Sequence, residues 1–267
     1  MQIGDLNRSP VSEEIVMKST LDDFQELVND RSHWSRYCKD KHISDELLTQ
    51  ICEVTQRAPT SFNSQPYKII LVRSDRAKQL LGSAMLTESN TSRITQSDVT
   101  AVFCADLQVV DNLPKIQQLF RDLGGAPEEY IEKDIPLGLK VQSMGFSGLR
   151  SYISRIVAPT LLKLISFIRI APSYNSPKTW AFRQLGFVTD HFVLAATAAG
   201  LGSAIMEGFS CKQVSKKLAI PSKYKPFCLV SLGYKDESIA GRPKSLKFPM
   251  EEIFFEDSFG SPYQPKP

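Results

Sequence analysis

Two polar stretches carry side chains whose types and spacing could do chemistry. The first is Arg57-Ala58-Pro59-Thr60-Ser61-Phe62-Asn63-Ser64-Gln65-Pro66-Tyr67. Its prolines push the residues before them out of helical space, which leaves Thr60, Ser61, Asn63 and Gln65 to hold something else. These groups mix donors and acceptors with no strong acid, base or metal ligand, a set suited to a flat heteroaromatic ring with a polar edge. The second stretch is Arg31-Ser32-His33-Trp34-Ser35-Arg36-Tyr37. Its cations and small donors suit a phosphate, because a guanidinium group bonds phosphate oxygens in pairs. On spacing alone the first stretch is equally a helix-ending turn, and the second a solvated basic turn.

Elements must flank these stretches to position them. A short helical pattern over residues 21–28 precedes the arginine-bearing run. Ser44, Asp45 and Glu46 form an N-cap with acids in the first turn, and Leu47, Leu48, Ile51, Val54 and Ala58 follow at helical spacing, so that this helix delivers the polar loop. Residues 68–73 read as a buried strand, 76–85 as a helix, and 99–106 as a second buried strand. From 112 to 151 no period stands out, and Gly124-Gly125-Ala126-Pro127 and Asp134-Ile135-Pro136 read as loops of an insertion. Ser176-Pro177 opens a core helix that stops at Gly200-Leu201-Gly202. His191 within it is expected to be a core or interface residue. A strand over 203–206 runs into Glu207-Gly208-Phe209, a helix over 211–218 follows, and 226–232 is the last central strand.

Composition narrows the function. A net charge of +3 over 267 residues argues against a nucleic-acid partner. Five scattered cysteines without a C-x-x-C pair suggest reduced, mostly buried thiols in an intracellular protein, without zinc. Residues 1–20 hold no apolar run of signal-peptide length, so a cytoplasmic protein is expected, or a mitochondrial one if a targeting segment precedes the chain. Words for a dinucleotide fingerprint, a P-loop, a zinc protease or a nucleophile elbow are absent.

The words taken together resemble the FMN-dependent nitroreductase family. Pro59 to Tyr67 is similar to its P-[ST]-[ST]-x-N-x-Q-P-aromatic signature, and Arg31, His33 and Tyr37 fit its R-x-[SH]-x-[RK]-x-[FY] motif. Ser35 departs from that motif, where the family usually has Lys or Arg, and Arg36 is a substitute to consider. Glu207-Gly208-Phe209 resembles the family's E-G-F segment, although a turn explains it equally. Gly233-Tyr234 followed by residues 242–249 resembles its basic ending, with Lys247 at the second cationic position and Lys244 or Ser245 at the first. A solvated basic tail fits that ending as well.

The resemblance implies an α+β, nitroreductase-like fold. One domain over 1–267 is expected, with a mostly antiparallel sheet flanked by helices, an insertion or cover at 112–179, and assembly as an intertwined homodimer. It also implies hydride transfer from NADH or NADPH through FMN to a nitroaromatic or quinone acceptor by a ping-pong mechanism. Arg31, Ser32, His33, Ser35, Lys244 and Lys247 would serve the phosphate and its neighbours. Thr60, Ser61, Asn63 and Gln65 would serve the ribityl chain and ring edges, and the Glu207 and Gly208 amides flavin N5. No side chain is assigned a catalytic role and no metal is expected. Alternatives are a flavin dehalogenase or flavin-fragmenting enzyme of the same fold, or a non-catalytic flavin-binding or membrane-docking protein. Residues 152–170 form an amphipathic pattern divided by Pro159, expected to cover the flavin cleft in preference to lying on a membrane.

Overall fold

The computed structural model describes residues 10–143, 176–238 and 245–264. In chain order the elements are α1 (Pro10–Asp30), α2 (Asp45–Gln56), β1 (Tyr67–Val72), α3 (Asp75–Gly82), α4 (Glu88–Gln96) and β2 (Val99–Asp106), then α5 (Leu113–Leu123), α6 (Ile135–Ser143), α7 (Pro177–Ala198), β3 (Leu201–Met206), α8 (Cys211–Lys217) and β4 (Tyr224–Tyr234).

The strands form one antiparallel sheet in the order β1-β2-β4-β3. β2 is buried at all eight positions, Thr100 and Asp106 included, as its apolar stretch Ala101 to Ala105 leads one to expect. The register slips between Phe103 and Cys104, where Pro226, which has no N–H for the ladder, enters β4. β1 departs from the expected buried strand. It is an edge strand with only Val72 fully buried.

Each sheet face carries its own helices. Ala101, Phe103, Ala105, Val230 and Leu232 pack beneath α2 and α7. Val102, Cys104 and Leu229 pack against Leu81 of α3, Ile94 of α4 and Val214 of α8. α2 and α7 begin where their caps predict, with Ser44 Oγ accepting from Leu47 N at 3.1 Å and Ser176 Oγ from Thr179 N at 3.1 Å. Gly200 ends α7 at φ 73°, a left-handed conformation suited to glycine.

Several expectations are corrected. The first helix starts at Pro10, well before residue 21. The expected helix over 76–85 ends at Gly82, and α4 is a separate helix that its polar sequence concealed. Residues 112–143 are largely helical, and Pro136, which has no N–H to donate, follows a π-helical turn over Tyr130–Asp134 that runs directly into α6. All five cysteines are free thiols, but only Cys104 and Cys228 are buried and Cys211 is exposed. Among the described residues no helix is long and apolar enough to cross a membrane. The amphipathic pattern at 152–170 lies outside the described residues.

Candidate functional site

The loop between α2 and β1 is held by its own polar groups. Gln65 N donates to Thr60 Oγ1 at 3.1 Å, and Gln65 Nε2 donates to Asn63 O and Oδ1, each at 3.3 Å. Ser61 N donates to Oε1 of the buried Gln184 on α7 at 2.9 Å. Phe62, Asn63 and Gln65 adopt φ of 56°, 46° and 43°. Left-handed conformations in non-glycine residues cost of order 1–3 kcal/mol each and persist only where surroundings enforce them. Ser64 Oγ and Tyr67 OH are buried without a hydrogen-bond partner, and burial raises the Tyr67 phenol pKa.

One enforcing contact is visible. The Phe62 ring lies on Gly138 of α6, where a Cβ would stand 2.4 Å from Phe62 Cζ. Gly138→Ala should displace the ring and lower stability by about 1–3 kcal/mol, as overpacking does. Thermal denaturation checks this, at roughly 2–4 °C per kcal/mol for a chain of this size. An unchanged melting temperature would show that the ring is not clamped.

The arginine-bearing stretch lies along the free edge of β3. His33 forms a parallel bridge with Ser203, Trp34 N donates to Ser203 O at 2.8 Å, and Cys38 N donates to Tyr234 O at 2.9 Å. Two glycines allow this approach, since a Cβ on Gly202 or Gly233 would stand 2.8 Å from the side chain of Trp34 or Tyr37. The Tyr37 hydroxyl is 2.7 Å from Ser231 Oγ and donates to Trp34 O at 3.1 Å, and burial drives its pKa upward. Trp34 Nε1 is buried without a partner, and Lys235 stands 5.8 Å from that ring. Arg31 is half-buried with no carboxylate partner among the described residues. Arg36 is exposed and near Asp236 rather than turned inward.

β3 ends in the Glu207-Gly208 turn. Gly208 O accepts from Leu86 N at 3.0 Å and from Asn90 Nδ2 at 3.4 Å. Among the described residues no acceptor takes a hydrogen bond from the N–H of Glu207 or Gly208. Asn90 Oδ1 in turn accepts from Arg93, whose charge acts on the Tyr37 phenol. Asn90 and Arg93 therefore stand between the arginine-bearing stretch and the turn. Sequence reasoning missed both. The signal was an amide and a guanidinium three residues apart on one short polar helix.

The expected site residues do not all meet within one chain. Arg31, Ser32, His33 and Ser35 share the β3 edge with Glu207 and Gly208, while Thr60, Ser61, Asn63 and Gln65 lie beyond β1. Three strand spacings, roughly 14 Å, separate the two edge strands. Lys247 is fully exposed, and Lys244 lies outside the described residues.

With that geometry in hand, comparison with known proteins is decisive. The model of the Nitroreductase family matches residues 29–122 and 164–234. The chain belongs to the nitroreductase family. An NADH dehydrogenase of Thermus thermophilus is 28% identical over 218 residues, covering 82% of this chain and 88% of the relative. A nitroreductase family protein of Streptococcus pneumoniae superposes with a TM-score of 0.65 at 23% identity, covering 87% of this chain and 99% of that one. A structure from Exiguobacterium sibiricum, solved in complex with FMN, gives a TM-score of 0.67 at 22% identity over 88% of this chain and 97% of its own. The nitroreductase fold expected from the sequence, α+β with an antiparallel sheet flanked by helices, is thus the fold of the chain.

Proposed function

We propose that this nitroreductase-family chain is an FMN-dependent oxidoreductase that uses NADH or NADPH to reduce nitroaromatic or quinone acceptors by a ping-pong mechanism, working as a homodimer. The observation that carries this reading is the Glu207-Gly208 turn. Its carbonyl side is tied to α4 and the loop before it, while its two N–H groups meet no acceptor among the described residues, at a place where a Cβ on Gly208 would stand 3.1 Å from Asn90 Nδ2. Two free amides held rigidly beside a glycine suit a ring nitrogen brought close to the backbone. Arg31, half-buried without a counter-charge among the described residues, suits the terminal phosphate, and the chain's residues fit FMN on both counts. When bound, FMN supplies the hydride-accepting chemistry that none of these side chains possesses.

The chain's part is binding, orientation and electrostatics. Arg31 and Lys247 would hold phosphate, with Lys244 beside them, while Ser32, His33 and Ser35 contact the ribityl chain and ring. Arg93 would supply the cation that Ser35 lacks. Thr60, Ser61, Asn63 and Gln65 would come from the second copy, since their own chain places them at the opposite edge of the sheet. Exposed apolar side chains support that assembly: Leu21, Phe24 and Val28 on α1, Val54 on α2 and Phe187 on α7. Phe24 and Val54 line a cleft of about 600 Å³ between these helices. Leu246, Phe248 and Phe259 of the C-terminal stretch also stand in the open, as an arm reaching over a partner would.

An anaerobic titration of purified protein with each nicotinamide, followed at the flavin band, tests the proposal. The expected result is a yellow protein that releases FMN on denaturation and bleaches with NADH or NADPH. Release of FAD, or FMN that neither nucleotide bleaches, would overturn it, the second outcome pointing to a flavin-storing protein.

A further inference from the structure

Between the buried Tyr37 and Ile43 the chain crosses the end of the sheet as Cys38-Lys39-Asp40-Lys41-His42. A cleft of about 420 Å³ opens there between this run, α3 and the C-terminal end of α4. Both acids that line it are already engaged. Asp98 accepts from Ile43 N at 2.6 Å and lies 2.8 Å from His42 Nδ1. Asp75 is paired at 3.1 Å with the buried Lys78, which also donates to Ser97 O at 2.9 Å. Lys39 and Lys41 have no carboxylate partner among the described residues, and Lys41 stands 6.0 Å from the centre of the Tyr234 ring. Gln79 and Gln96 add amide groups to the lining, Gln96 Nε2 keeping one N–H beyond its bond to Ser92 Oγ at 2.9 Å, while the Thr95 hydroxyl donates back to Thr91 O at 3.1 Å. Lys39, Lys41 and Lys78 outnumber Asp75 and Asp98 among the lining residues, and two ammonium groups without a carboxylate partner attract an anion.

The cleft adjoins the proposed flavin site along one ridge of α4. Asn90, Arg93 and Gln96 succeed each other three residues apart, so each neighbours the next along the helix. Asn90 is bonded to Gly208 O and Gln96 lines the cleft. At 1.5 Å per residue, the cleft begins about 9 Å along the helix from the turn.

We propose that this cleft is a phosphate subsite for the ribose phosphate of the nucleotide donor, so that the chain prefers NADPH to NADH. The inference rests on the oxidoreductase reading above. Lys39 and Lys41 meet the phosphate from one wall, and the amides of Gln79 and Gln96 from the other. NADH presents only hydroxyl groups there and leaves both ammonium charges uncompensated. Free inorganic phosphate has the same chemistry, so the test must separate the two sources.

Purified protein is titrated with adenosine 2′-phosphate and with inorganic phosphate while the backbone amide resonances of Cys38, Gln79 and Gln96 are followed. Steady-state kinetics with NADPH and NADH are measured in parallel on the wild type and on Lys39→Glu/Lys41→Glu. The expected result is that adenosine 2′-phosphate moves these resonances and binds at least about tenfold more tightly than inorganic phosphate. The double variant should lose that binding and raise the KM for NADPH about tenfold or more. Its kcat and its KM for NADH should be unchanged, and Lys39→Arg/Lys41→Arg should behave as wild type. Unmoved resonances, equal binding of the two probes, or an unaltered KM for NADPH in the double variant would each overturn the assignment. If neither nucleotide reduces the protein, the oxidoreductase reading fails on its own and the amide titration alone decides the cleft.

Discussion

Arg31→Glu should give a folded, colourless protein. The Arg31 backbone is fixed independently of its side chain, with its N–H donating to Leu27 O at 3.1 Å to close α1. The guanidinium is half-buried without a carboxylate among the described residues, so its removal breaks no internal ion pair. Toward a phosphate the substitution removes paired charge-assisted bonds and adds repulsion. Together these should cost about 3 kcal/mol or more, a hundredfold in affinity. Far-UV circular dichroism and gel filtration should match wild type while the flavin-to-protein ratio collapses. Arg31→Lys should fall between, because a single ammonium cannot bond two oxygens in a fork. Wild-type FMN affinity in the Arg31→Glu protein would make Arg31 a surface residue and move the phosphate elsewhere.

What the sequence disclosed follows from how each element is stabilised. β2 is mostly apolar because both of its faces are covered, so its bounds could be read directly, and α2 and α7 carry their start signals in Ser44 and Ser176-Pro177. α4 gave no such signal. Its residues Glu88 to Gln96 are nearly all polar, only Asn90 and Ile94 are buried, and its start depends on the Thr87 side chain accepting from Asn90 N at 3.2 Å. Asn90 and Arg93, which face the Glu207-Gly208 turn, were hidden with it. The polar stretches proposed for the site were legible, but their grouping was not. Neither spacing nor composition reveals that the order β1-β2-β4-β3 puts Thr60 to Gln65 at one edge and Arg31 to Ser35 at the other. That order is a property of long-range pairing, which local propensity does not encode.

In the proposed homodimer the same separation makes assembly and flavin binding one event, with the largest expected effect of all. Val54 and Phe187 are 48% and 53% exposed in the single chain, so Val54→Asp/Phe187→Asp should leave its fold intact. In a two-fold dimer each substitution occurs twice on the same surface, placing four carboxylates where apolar groups would meet. Each lost apolar burial is worth about 1.5–3 kcal/mol, before the cost of desolvating a charge. The dimer should therefore dissociate at micromolar concentration. Because the loop bearing Thr60, Ser61, Asn63 and Gln65 would then be missing from each half-site, FMN should be lost together with the partner. Multi-angle light scattering and flavin absorbance on the same column fractions give both readouts. A dimer of undiminished affinity would place the interface elsewhere. A monomer that remains yellow would mean that one chain holds the flavin unaided, from the β3 edge alone.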